Sequence, residues 1–117
     1  MGNFKELNVW IRSKNLAVYI YKLINQNNKL SKDFGMKDQL QRSAVSISAK
    51  IAEGEQLDSD KQSIRHLYIS RGSTAELRSL SIVTHEVGYI DKQDLNHIET
   101  ECTAIAGMLT RLINSRS

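Results

Sequence analysis

The chain has 117 residues, 40% apolar and 25% charged, with a formal net charge of +3. That length allows one domain with its own core, and no apolar run approaches the roughly 20 residues needed to cross a bilayer. A single cysteine excludes an intrachain disulfide, and the absence of proline, usually about 5% of residues, favours a chain that is nearly all helix.

The opening residues have neither the apolar stretch nor the cleavage pattern of a secretory signal, so a cytoplasmic protein is expected. The first helix is predicted from about Val9 to Asn27, with Val9, Leu16, Ile20 and Leu23 on one stripe and Asn8 as its N-cap. Asn27, Asn28 and Lys29 end that periodicity, and residues 31–35 read as a polar connection in which Gly35 takes a positive φ. The second helix spans about Met36 to Glu55. Leu40, Ala44, Ile47 and Ile51 step by four, three and four residues along one face, interleaved with the polar series Arg42, Ser46, Glu53 and Gly54. Gly54 either terminates this helix or lets another backbone approach closely.

Ser59 followed by Gln62 matches a capping box, which opens a long third helix over residues 59–87, closed by Gly88. On a wheel of about 100° per residue, Ile64, Leu67, Tyr68, Ala75 and Ile82 cluster on one side and Ile69, Leu77, Leu80 and Val87 on nearly the opposite one. Two apolar sides need two partners, so the second set is expected at a subunit interface. The fourth helix is predicted over residues 91–115, with Asp91 as N-cap and an Ile90–Leu95 staple. Its seam runs Leu95, Ile98, Cys102, Ile105, Leu109 and Leu112. Four such helices with short connections predict a single all-α domain over residues 1–117, an antiparallel up-down-up-down four-helix bundle.

Chemistry is sparse by comparison. Asp94 and His97 give one Asp-x-x-His spacing where a bundle metal site needs two such motifs, and capping already explains the aspartate. No serine or cysteine sits in a strained nucleophile turn, and the glycines never approach a phosphate-binding spacing. No catalytic residues, metal, cofactor, membrane or small-molecule substrate are therefore expected. Arg42, Glu53 and Glu76 are candidates for a buried or interfacial ion-pair network completed by Ser46 and Ser73. The basic residues Lys14 and Lys22 on the first helix and Arg71 and Arg78 on the third are candidates for phosphate contact.

From Phe4 to about Leu112 the chain resembles the small four-helix proteins encoded in intervening sequences of bacterial 23S ribosomal RNA. The likeness rests on ordered motifs: residues 4–10 as the family's opening, residues 39–47 followed by Ile51-Ala-Glu-Gly54 as its signature, and Gly72-Ser73 with Glu76-Leu77 in the third helix. Lys50 stands where that family often has asparagine, and Ser31 and Ser48 where it often has proline. The resemblance implies a homopentamer in which the signature residues organise packing and subunit contacts. Related bundles include accessory proteins of diversity-generating retroelements, which points to RNA or a nucleoprotein as partner. The expected function is a non-enzymatic oligomeric scaffold that binds RNA through basic helix surfaces; the competing expectation is a protein-interaction adaptor without nucleic-acid affinity.

Overall fold

Polar side chains set the starts of every helix except the first long one. Asn3 Oδ1 accepts the Lys5 amide at 3.1 Å and opens a 3₁₀ turn, Phe4–Glu6, which leads into helix α1, Asn8–Asn25. Asn27 accepts from the Leu30 amide at 2.9 Å to start a short α2, Asn28–Lys32. Asp33 accepts from Met36 at 3.1 Å to start α3, Phe34–Glu55. Ser59 accepts from Gln62 at 3.2 Å to start α4, Asp60–Glu86, and Asp91 accepts from Asp94 at 2.8 Å to start α5, Lys92–Arg116. Each bond satisfies an amide that the helix itself leaves unpaired.

This computed structural model describes residues 3–57 and 59–117; Met1, Gly2 and Asp58, which fall within the expected domain, lie outside the described residues. Of the described residues 88% are helical and none is in a strand, an all-α chain with four long helices and a short one. Two local expectations change. The connection expected at residues 31–35 is mostly helix, because Asn27 and Asp33 are successive N-caps that start α2 and α3 back to back, with Leu30 fully buried between them. Gly35 consequently lies inside α3, and Gly88, at φ +88°, is the one positive-φ residue among those described. Asn8 is the first helical residue rather than a cap, since extended Leu7 occupies the position after the 3₁₀ turn and makes no side-chain cap. At the end of α4 the Tyr89 amide reaches Thr84 O at 3.1 Å and the Gly88 amide His85 O at 2.9 Å, a left-handed glycine closure that only a residue without Cβ adopts cheaply.

The four long helices surround one core. α3 packs on α4, α4 on α5, and α1 on both α3 and α5, whereas the backbones of α1 and α4 lie across the bundle from each other. The result is a rod of 44 × 21 × 20 Å, whose long dimension matches the roughly 40 Å of a 27-residue helix. Leu16, Ile20 and Ile24 of α1, Ile47 and Ile51 of α3 and Ile98, Ile105 and Leu109 of α5 are buried almost completely. The α5 seam ends on Ile113 rather than Leu112, which is only partly buried, because straight helices drift off a strict seven-residue repeat.

The buried side of α4 is the main departure from a hydropathy reading. It runs Ser63, Leu67, Ser70, Thr74, Leu77, Ser81 and Thr84, alternating steps of four and three, so hydroxyl residues outnumber apolar ones. Thr74, Ser81 and Thr84 each donate back to the carbonyl one turn earlier, at 3.0, 2.8 and 2.6 Å, while Ser70 Oγ crosses to the α3 carbonyl of Ile47 at 2.8 Å. Small satisfied side chains let α3 and α5 approach this helix closely.

Candidate functional site

The signature residues occupy the outer edge of the α3–α4 contact. Ser73 Oγ donates to Ser46 Oγ at 2.9 Å, the one bond joining the two halves of the expected polar cluster. Arg42, one turn before Ser46, is exposed and faces Asp38 at 3.6 Å. Glu53 is half-exposed and meets Lys50 at 3.2 Å and His66 at 4.0 Å. Glu76 is exposed and has no basic partner among the described residues. The expected buried Arg42–Glu53–Glu76 network therefore does not form within one chain: Arg42 and Glu53 lie about three turns apart on the same helix, each with a nearer local partner. Gly54 is buried inside the last turn of α3, and a Cβ there would stand 3.3 Å from both the Ser63 carbonyl oxygen and His66 Cβ. Of its two readings, close backbone approach is the correct one. Gly72 is exposed on α4, and a Cβ added there would meet nothing within 4 Å.

Further polar contacts that tie helices together are pairs the sequence did not single out. Next to Gly54, Arg116 near the end of α5 pairs with Glu55, whose side chain is almost buried, and also donates to Ser63 Oγ at 2.9 Å. Across the α1–α5 contact Arg12 donates from Nε and Nη2 to the two Glu101 oxygens at 2.9 and 3.0 Å. Those bonds raise the Arg12 pKa and hold the Glu101 carboxyl below its ordinary value, against the opposing pull of burial. Tyr19 donates to Asp94 at 2.6 Å and stacks against His97, and Tyr89 donates to Asp33 at 3.0 Å. Burial and the Asp94 bond push the Tyr19 hydroxyl pKa up. The partners of each pair are far apart in sequence and carry no spacing signal.

The four candidate phosphate-binding residues do not form one surface. Arg71 bonds Thr110 at 3.0 Å and lies over the Tyr68 ring at 4.8 Å, while Arg78 pairs with Glu99 at 3.2 Å, so both belong first to the α4–α5 contact. Lys14 and Lys22 are exposed on α1, diagonal to α4. Residues 7–32 contain no acid, and Lys14, Lys22, Lys29 and Lys32 have no acidic partner among the described residues.

Of the expected interface set, Leu77 is completely buried and belongs to the core of its own chain, and Leu80 packs partly against that core. Ile69 and Val87 remain exposed. The exposed large apolar residues are Ile11, Val18 and Tyr21 on α1, Phe34 and Val45 on α3, and Tyr68, Ile69, Val83 and Val87 on α4. None lies on α5. A groove of about 520 Å³ separates α4 from α5, floored by Cys102 and walled by Thr74, Ala75, Ile82 and Ala106. Burial pushes the Cys102 thiol up to about 12, which keeps it protonated and unreactive at neutral pH. Among the described residues no three His, Cys, Asp or Glu side chains gather as metal ligands, and no helix is long and apolar enough to cross a membrane.

A family model described as 23S rRNA-intervening sequence protein matches residues 5–111. Among solved structures, a protein of unknown function from the S23 ribosomal protein family of Bacteroides thetaiotaomicron is similar, with 30% identity and a TM-score of 0.81. The match covers 90% of this chain and 97% of that one. A comparison with functionally curated proteins finds no match. Neither description is that of an enzyme.

Proposed function

The chain belongs to the 23S rRNA-intervening sequence protein family, and on that premise we propose that it is a non-enzymatic, homo-oligomeric helical scaffold with structured RNA or a nucleoprotein as its partner. The bundle reading is the antiparallel up-down-up-down one. It is supported by paired residues whose numbers fall on one helix as they rise on the other: Ser46 with Ser73 and Glu53 with His66 across α3–α4, Arg71 with Thr110 and Arg78 with Glu99 across α4–α5, and Arg12 with Glu101 and Tyr19 with Asp94 across α1–α5.

The observation that carries the assembly is the group of exposed apolar side chains on α1, α3 and α4 in a chain that already has a complete core. Arg42, Glu53 and Glu76 are also exposed, and Glu76 has no basic partner among the described residues. Five copies, as the resemblance implies, is the expected stoichiometry, and the cytoplasm the expected compartment. Light scattering coupled to size exclusion should give a mass near five times 13.3 kDa, and a monomer at every concentration would overturn the reading.

RNA is favoured as partner by the acid-free stretch of residues 7–32 with its unpaired lysines, repeated in each copy of an assembly. Binding to structured RNA should weaken steeply with salt. An intact assembly that binds no RNA at low salt would leave the adaptor reading, for which the α4–α5 groove is the candidate client site.

A further inference from the structure

The positive charge of the chain is concentrated in one segment. Residues 22–42 hold five basic side chains against two acidic ones, which accounts for the whole net charge of +3 and leaves the rest of the chain formally neutral. Within it Lys29, Lys32 and Lys37 have no acidic partner among the described residues. Both acids are already engaged, Asp33 by the Met36 amide and the Tyr89 hydroxyl, and Asp38 by Arg42 at 3.6 Å. Glu86 and Asp91, at the connection that Tyr89 holds against Asp33, belong to the α4–α5 side of the bundle rather than the α1–α3 side. At the α2–α3 corner stands Phe34, which at 75% is the most exposed of the large apolar residues described. Lys37 Nζ lies 5.9 Å from the centre of its ring. A groove of about 370 Å³ runs between α1 and α3, with Tyr21 on one wall and Gln41, Arg42, Val45 and Ser46 on the other. On a wheel of about 100° per residue, Phe34, Asp38, Gln41 and Val45 share an arc of about 60°, so Phe34 continues the α3 wall of the groove to the corner.

We propose that this corner and groove hold an unpaired segment of RNA, with one base stacked on Phe34, a further one on Tyr21, and backbone phosphates meeting Lys29, Lys32 and Lys37. The inference rests on the RNA half of the reading above and names the part of the RNA that is bound. An aromatic ring can stack only on a base whose face is open, so rings set among unpaired cations select single strands over a duplex, where each base is covered by its neighbours. The ammonium group already over the Phe34 ring is close enough to meet the phosphate of a base stacked there. Tyr68 on α4 is exposed as well, but Arg71 lies over its ring at 4.8 Å and is itself bonded to Thr110, so that pair is complete within the chain. The assignment takes Tyr21 and Phe34 out of the apolar groups open to a second subunit and leaves those of α4 in it.

The test is fluorescence anisotropy of the full chain with a labelled single-stranded RNA of about 12 nucleotides and with the duplex that this strand forms with its complement. At low salt the single strand should bind more tightly than the duplex, although the duplex has the denser charge. Phe34→Ala and Tyr21→Ala alter exposed side chains, so the fold should persist, as far-UV circular dichroism would verify. Each should lower single-strand affinity about tenfold and leave the slope of log affinity against log salt unchanged, because a stacking contact releases no counterion. Phe34→Trp should keep the wild-type affinity, Tyr68→Ala should not alter it, and light scattering should give Phe34→Ala the wild-type mass. A wild type that binds neither RNA at low salt overturns the RNA reading itself. A wild type that binds RNA but prefers the duplex, an alanine variant at 34 or 21 with undiminished affinity, a Phe34→Trp chain that loses it, or a loss confined to Tyr68→Ala overturns the corner site alone. A Phe34→Ala chain that drops out of the assembly assigns the ring to a subunit contact and likewise overturns the site.

Discussion

The glycines of the signature and of the third-helix motif have opposite physical roles, and their substitution should separate them. Gly72 lies exposed in the middle of α4 with no neighbour near its missing side chain, so alanine there should stabilise the chain by about 0.5–1 kcal/mol through the lower entropy of the unfolded state. Gly54 stands where a side chain would meet the Ser63 carbonyl oxygen at 3.3 Å, an atom that α4 cannot move without losing its first turn. Gly54→Val should therefore destabilise by about 1–3 kcal/mol. Urea denaturation of both variants checks the pair, and a stabilised Gly54→Val would contradict the close approach. The sequence left Gly54 open between two readings because a terminating glycine and a packing glycine look alike within one helix. Only the position of Ser63 on the next helix separates them.

The same limit acts on whole elements. The α3 stripe of Leu40, Ala44, Ile47 and Ile51 was legible, because all four are buried. On α4 the rule fails: the buried series is dominated by hydroxyls, and apolar Tyr68, Ile69, Val83 and Val87 face outward. The repeat of four and three was present in the sequence, but hydropathy gives serine and threonine no weight at an inward position. The hydroxyls should not contribute equally. Ser70 reaches across to the Ile47 carbonyl, whereas Ser81 bonds only its own helix. Ser70→Ala should cost about 1 kcal/mol and Ser81→Ala a few tenths. Equal losses in thermal or urea unfolding would show that the cross-helix bond has no special weight. Between α1 and α5 the Arg12–Glu101 pair makes a pH-dependent contribution. The folded Glu101 pKa lies below its ordinary 4.5, so the pair's stabilisation is present above about that pH and is lost as the pH falls through the lower folded value. Arg12 is 42% exposed, which limits the effect to about 1 kcal/mol. Glu101→Gln should lose that amount at neutral pH and give a flatter stability curve in acid; an unchanged acid slope would remove the pair from the balance.

At the scale of the molecule, charge position matters more than the net value of +3. Arg71 and Arg78 recur at seven residues and suggest a phosphate-tracking stripe, yet each has a partner on α5, at Thr110 and Glu99. Lys29 and Lys32 on α2 carried less weight in the sequence because the segment read as a connection between helices. The two successive caps make it a helical corner with both lysines exposed and unpaired among the described residues. If these lysines hold RNA phosphates at this corner, Lys29→Gln with Lys32→Gln should lower the slope of log affinity against log salt by about two, one for each lysine removed. The oligomeric mass should not change, since neither residue lies on the helices that carry the exposed apolar side chains, α1, α3 and α4. Arg71→Gln with Arg78→Gln should instead lower folding stability by breaking the α4–α5 pairs and leave the salt slope nearly intact. The reverse pattern, a slope reduced only by the arginine pair, would return the nucleic-acid surface to α4 and show that these guanidinium groups exchange their intrachain partners for phosphate.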